Sequence, residues 1–77
     1  MSYKGFYITY TEDCEENLGG YFCQVYADKK LDYEIDYFCI HKEELINNNV
    51  QENIMNYINE HENELINITK NIIIEEK

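Results

Sequence analysis

Cys14, Cys23, Cys39, His41 and His61 are the side chains of this 77-residue chain best suited to nucleophilic or metal chemistry. A cysteine nucleophile needs a base within hydrogen-bond reach and a third group to orient that base. Cys39-Ile40-His41 sets thiol and imidazole two residues apart, but on a strand that spacing only gives them a common face. No cysteine-hydrolase signature surrounds them, so the chain is expected not to be an enzyme. Cys14, Cys23, Cys39 and His41 have the number and types of ligand for a tetrahedral zinc site. Their wide gaps and the lack of a Cys-x-x-Cys pair argue against it, and no metal or other cofactor is expected. His61 falls in the apolar stripe of a helix and reads as a packing residue.

The carboxylates are more suggestive. Glu12, Asp13, Glu15 and Glu16 precede Gly19-Gly20, and hard oxygen ligands of this kind can bind calcium. The twelve-residue loop spacing with its central Gly and terminal Glu is missing, so the segment reads as a solvated loop and an electrostatic handle. Asp32, Glu34 and Asp36 alternate with Leu31, Tyr33, Ile35 and Tyr37. If the odd-numbered side chains face a core, the acids form an outward row about 6.7 Å apart, twice the rise of a strand. Tyr7, Phe22 and Tyr26 are expected on the same outer surface, giving aromatic anchors beside spaced carboxylates. Aromatics are enriched at interface hot spots, and charge complementarity selects partners.

Sixteen Asp plus Glu against six Lys give a net charge of −10. A phosphate backbone needs clustered cations to displace its counterions, whereas the lysines here are scattered, so direct nucleic-acid binding is not expected. The natural complement is a basic protein surface. No run approaches the roughly 18 apolar residues of a membrane span. Met1-Ser2-Tyr3-Lys4-Gly5 lacks the pattern of a secretory signal, and three cysteines without paired spacing suit a reducing compartment. A cytoplasmic chain with no membrane contact is the expectation, and Asn67-Ile68-Thr69 is then a chance match to a glycosylation acceptor.

These residues need elements to hold them. Phe6, Ile8 and Tyr10 alternate with Tyr7, Thr9 and Thr11, the period of a half-buried strand. Glu12 to Gly20 reads as a hairpin loop and Tyr21 to Ala27 as a second strand. After the polar break Asp28-Lys29-Lys30, a third strand is predicted from Leu31 through Tyr37, with Phe38-Cys39-Ile40 as a continuation. One helical turn is expected over His41 to Ile46, with a break at Asn47-Asn48-Asn49. Asn49 and Glu52 then resemble a capping box, so a helix should start at Val50. Its apolar stripe would be Ile54, Ile58, His61, Leu65, Ile68 and Ile72. Ile72-Ile73-Ile74 could instead leave the helix as a fourth strand. The prediction is a single α+β domain spanning 1–77: a three-stranded antiparallel meander with an amphipathic C-terminal helix on one face.

The opening Tyr3-Lys4-Gly5-Phe6-Tyr7-Ile8, the acidic run Asp32-Tyr33-Glu34-Ile35-Asp36-Tyr37 and the Asn/Ile/Glu-rich helix resemble the small acidic proteins that phages and mobile elements use against bacterial defence. Those include anti-CRISPR proteins and other DNA mimics. The resemblance implies a non-enzymatic inhibitor that occupies the basic nucleic-acid-binding surface of a Cas-type nuclease or similar effector. Asp32, Glu34 and Asp36 would stand in for phosphates, flanked by Tyr7, Phe22 and Tyr26. The alternative is a small homodimeric structural or regulatory module, with the outer face buried against a second copy.

Overall fold

A computed structural model describes residues 1–13 and 19–75. Four antiparallel strands lie in sequence order: β1 (Ser2–Tyr3), β2 (Phe6–Asp13), β3 (Gly20–Tyr26) and β4 (Glu34–Ile40). One long helix, α1 (Val50–Glu75), follows two 3-10 turns at Lys42–Glu44 and Ile46–Asn48. The α+β meander with a packed C-terminal helix is therefore present. The fourth strand is at the N-terminus, however, and the backbone of 72–74 stays helical.

β1 exists because Lys4 and Gly5 both take positive φ, 52° and 86°, the two-residue turn whose twist suits a hairpin. Tyr3 then pairs Phe6, and Ser2 pairs Tyr7. Met1 extends the ladder: the Ile8 amide donates to its carbonyl at 2.8 Å and its ammonium donates to Ile8 O at 3.1 Å. The hairpin is tied to the helix by Tyr3 Oη donating to Asn59 Oδ1 and by Lys4 Nζ against Glu62 at 3.4 Å.

β2 and β3 are longer toward their shared loop than expected, since Glu12 pairs Tyr21 and Asp13 pairs Gly20. The predicted loop residues Cys14, Glu15 and Glu16 lie outside the described residues. Gly20 is required by crowding: a Cβ there would sit 1.9 Å from the carbonyl oxygen of Ile40.

The core lies between one sheet face and α1. Phe6, Ile8, Cys23, Val25 and Ile40 meet Ile54, Ile58 and Leu65. Asn49 caps α1 through its Oδ1, which accepts from the Gln51 amide at 3.1 Å, and Val50 is the first helical residue as predicted. The reciprocal half of the capping box is not used, because the preceding turn already satisfies the Asn49 amide through Ile46 O at 2.8 Å. With 26 residues the helix is about 39 Å long, against roughly 27 Å for the eight-residue β2. Its stripe therefore outruns the sheet, leaving Ile68 38% exposed, while Ile66, off the stripe, is exposed on the helix's outer side. No helix among the described residues is long and apolar enough to cross a membrane.

Candidate functional site

The expected row of acids is not formed. Asp28 folds the β3–β4 connection into a tight turn: its carboxylate accepts from the Asp32 amide at 3.0 Å and the Tyr33 amide at 2.9 Å. Leu31 takes a φ of 62° to close the turn. Residues 31–33 are thus loop, and Asp32 leaves the strand. Desolvation opposes ionisation of Asp28, but the backbone amides of Tyr33, Asp32, Asp28 and Lys30 together outweigh it and hold the carboxyl below its ordinary range.

β4 then starts at Glu34, opposite Tyr26, and Asp36 lies opposite Val25. Ile35 is the extra residue of a bulge, which keeps it against the core while reversing the alternation that follows. Phe38 and Ile40 face α1; Tyr37 and Cys39 face away. Ile35, Phe38 and Ile40 take the core-facing positions, and Leu31, Tyr33 and Tyr37 are exposed. The three acids consequently diverge. Asp32 is in the turn, Glu34 is on the outer face with its Oε1 accepting from Gln24 Nε2 at 2.7 Å, and Asp36 is under the helix. Asp36 Oδ2 accepts from Tyr57 Oη at 2.5 Å, and its Oδ1 accepts from the Tyr37 amide at 2.8 Å.

Around Asp36 an aromatic column forms that the sequence did not suggest. Tyr57 stacks on Phe38 at 3.7 Å and on His61 at 4.1 Å between centroids. His61 Nδ1–H donates to Tyr57 O at 2.9 Å, the i to i+4 geometry of a helix surface. Burial, then the hydrogen bond from Tyr57 to Asp36, raises the phenol well above its ordinary value, so it stays a neutral donor. His61 is half-buried in this stack, the packing role expected of it.

The expected aromatic contacts do share the outer face. Cross-strand register places Tyr7, Tyr26 and Glu34 in one rank, Thr9, Gln24 and Tyr37 in the next, and Thr11, Phe22 and Cys39 in the third. The rings of Phe22 and Tyr37 lie 6.0 Å apart, and Tyr37 is 65% exposed. Ser2, Lys29 and Leu31 border an open depression of about 380 Å³ with Tyr7 and Thr9. Among the described residues, α1 is the only α-helix and it covers the opposite face. Glu12 is an exposed β2 residue on the helix side, away from the aromatic ranks, and Asp13 ends that strand opposite Gly20. Tyr37, which sequence reasoning assigned to the core, belongs to the surface.

Cys23 and Phe38 are cross-strand partners, as are Phe22 and Cys39. The Cys23 thiol therefore points into the core and Cys39 points outward, so these two cannot converge on one zinc ion or form an intrachain disulfide. Burial, and secondarily Cys39, pushes the Cys23 thiol up to about 12. Cys39 and His41 are both exposed, on the outer face of β4 and just beyond its end.

A sheet face of aromatic, hydroxyl and amide side chains, opposite the one α1 covers, can stack on flat groups, pack against apolar stems and accept hydrogen bonds. No protein-family model, curated protein or solved structure matches this chain.

Proposed function

We propose that this chain is a non-enzymatic binding protein whose open sheet face docks on a basic protein surface. The observation that carries this reading is the patch of Tyr7, Phe22, Tyr26 and Tyr37 on the sheet face opposite α1. The net charge of −10 supplies the sign of the partner. Arg and Lys side chains suit such a patch twice over: their cationic heads stack on aromatic faces, and they are drawn by the surrounding field.

The resemblance to anti-defence proteins suggests the class of partner, a bacterial effector with a Lys/Arg-lined nucleic-acid cleft. Phosphate imitation by Asp32, Glu34 and Asp36 does not enter this reading, because those acids point in three directions. Inhibition would follow from steric occupation of the cleft, with Glu34 the one acid of the three beside the aromatic ranks.

The test is affinity capture of the tagged chain's partner from a bacterial host, followed by quantitative binding to that purified partner. Tyr26→Ala with Tyr7→Ala should weaken binding about 10- to 100-fold, the loss typical of aromatic hot-spot residues. Unchanged affinity in the double variant, with its fold verified by circular dichroism, would remove the outer face as the contact. A homodimer through this face would instead appear as a partner-free dimer in sedimentation, broken by the same substitutions.

A further inference from the structure

β4 has a second surface. It is the terminal strand of the sheet. The Tyr37 amide bonds to the carboxylate of its own neighbour Asp36 and not to β3, so it points out of the free edge. Alternation along the strand gives Cys39 the same direction. Beside this edge runs an open groove of about 290 Å³ between β4 and α1. Phe38, Ile40 and Ile46 supply its apolar lining, Tyr57 its aromatic wall, and Glu44 and Glu60 its carboxylates.

The arrangement matches the two halves of strand-addition recognition. An edge ladder of backbone donors and acceptors gives affinity, and pockets for alternate side chains give specificity. We infer that the β4 edge and its groove bind an extended peptide segment carrying Lys or Arg at alternate positions. On an added strand, every second side chain projects toward α1, about 6.7 Å from the next on that face. A Lys or Arg stem lies along Phe38 and Ile46 while its head reaches Glu44 or Glu60. Glu44 accepts from the His41 amide through Oε1, leaving its second oxygen for a cation.

Charge decides between occupants. A second copy pairing through β4 would bring Glu34, Asp36, Glu44 and Glu60 against the same acids, with a further net charge of −10. A basic strand meets those groups with opposite sign. This site is separate from the open sheet face and does not require that face to be occupied.

Titration of isotope-labelled protein with an acetylated octapeptide alternating Lys with Val or Thr, and with the same peptide carrying Glu for Lys, tests the inference by NMR. The basic peptide should shift the amides of Tyr37 and Cys39 and protect that of Cys39, since the Tyr37 amide already donates to Asp36, with millimolar or tighter affinity. Glu44→Gln with Glu60→Gln should weaken it at least about tenfold, while Tyr26→Ala leaves it unchanged. Cys39→Pro removes an outward amide at an edge position that tolerates proline, and it should abolish protection if the circular dichroism spectrum is retained. No binding of the basic peptide at about 1 mM, equal binding of the acidic peptide, or shifts confined to Tyr7 and Tyr26 would each overturn it. Concentration-dependent dimerisation through β4 would overturn it as well.

Discussion

Cys23 and Cys39 occupy the same strand pair and the same element type, yet the pleat gives them opposite chemistry. Cys23 is sealed among Ile8, Val25 and Ile54 in the core cluster. Its folded-state thiol holds its proton up to about 12, against an ordinary value of 9.0. The folded chain thus binds that proton more tightly than the unfolded one. The associated stability is intact below roughly pH 8.5 and is lost progressively as pH rises toward the folded value. Burial raises the Tyr57 phenol in the same sense, so both groups weaken the fold in alkali. Expected outcomes are a fall in urea midpoint between about pH 9 and 11, and fast labelling of Cys39 by a thiol reagent with Cys23 protected until unfolding. Removing Cys14 by substitution to Ser leaves those two thiols to be compared by mass spectrometry. Equal labelling rates for Cys23 and Cys39 would contradict the assignment of faces.

At the scale of elements, the connection from β4 to α1 depends on one helical side chain. Asn53 Oδ1 accepts from the Ile46 amide at 2.8 Å, and its Nδ2 donates to Glu44 O at 2.9 Å, so the first turn of α1 clamps both 3-10 turns. Asn53→Ala should cost about 1–3 kcal/mol by leaving a partly buried amide and a carbonyl without these partners. Asn53→Asp, which keeps the acceptor and loses the donor, should fall between; equilibrium urea unfolding reads both. Nothing in the sequence distinguishes Asn53 from Asn56 or Asn59, since its role depends on where the preceding turns lie. The helix itself was legible: Asn49 marks its start, and Ile54, Ile58 and Leu65 repeat along one side. β2 and β3 were equally legible in their alternation. The third predicted strand was misread in phase because a bulge inserts one residue, and a single-residue shift exchanges the faces. Its ambiguity was present in the sequence, where Leu31, Tyr33, Ile35 and Tyr37 compete with Phe38 and Ile40 for the core. Ser2–Tyr3 is too short to give a period at all. For the candidate site, Tyr7, Phe22 and Tyr26 were foreseen together because β2 and β3 keep their alternation, while Tyr37 and the β4 groove depend on the bulge.

For the molecule as a whole, the net charge of −10 acts in opposite directions on folding and on binding. Lys4 with Glu62, each more than a third exposed, forms an ion pair that contributes little. Sixteen acids against six lysines leave a net repulsion among like charges, which the compact state concentrates. Added salt shortens the range of that repulsion to about 8 Å at physiological ionic strength and about 3 Å at 1 M. The folded monomer should accordingly gain stability as sodium chloride rises. A gain of 1 kcal/mol corresponds to roughly 4–8 °C in Tm for a domain of this size. A complex held by complementary charge should weaken over the same range. Calorimetric melting of the free chain and titration of its captured partner, both across a salt series, read the two trends. A melting temperature that falls with salt would mean that attractive pairing dominates the monomer. An affinity that stays constant would mean that the aromatic patch binds without help from the field.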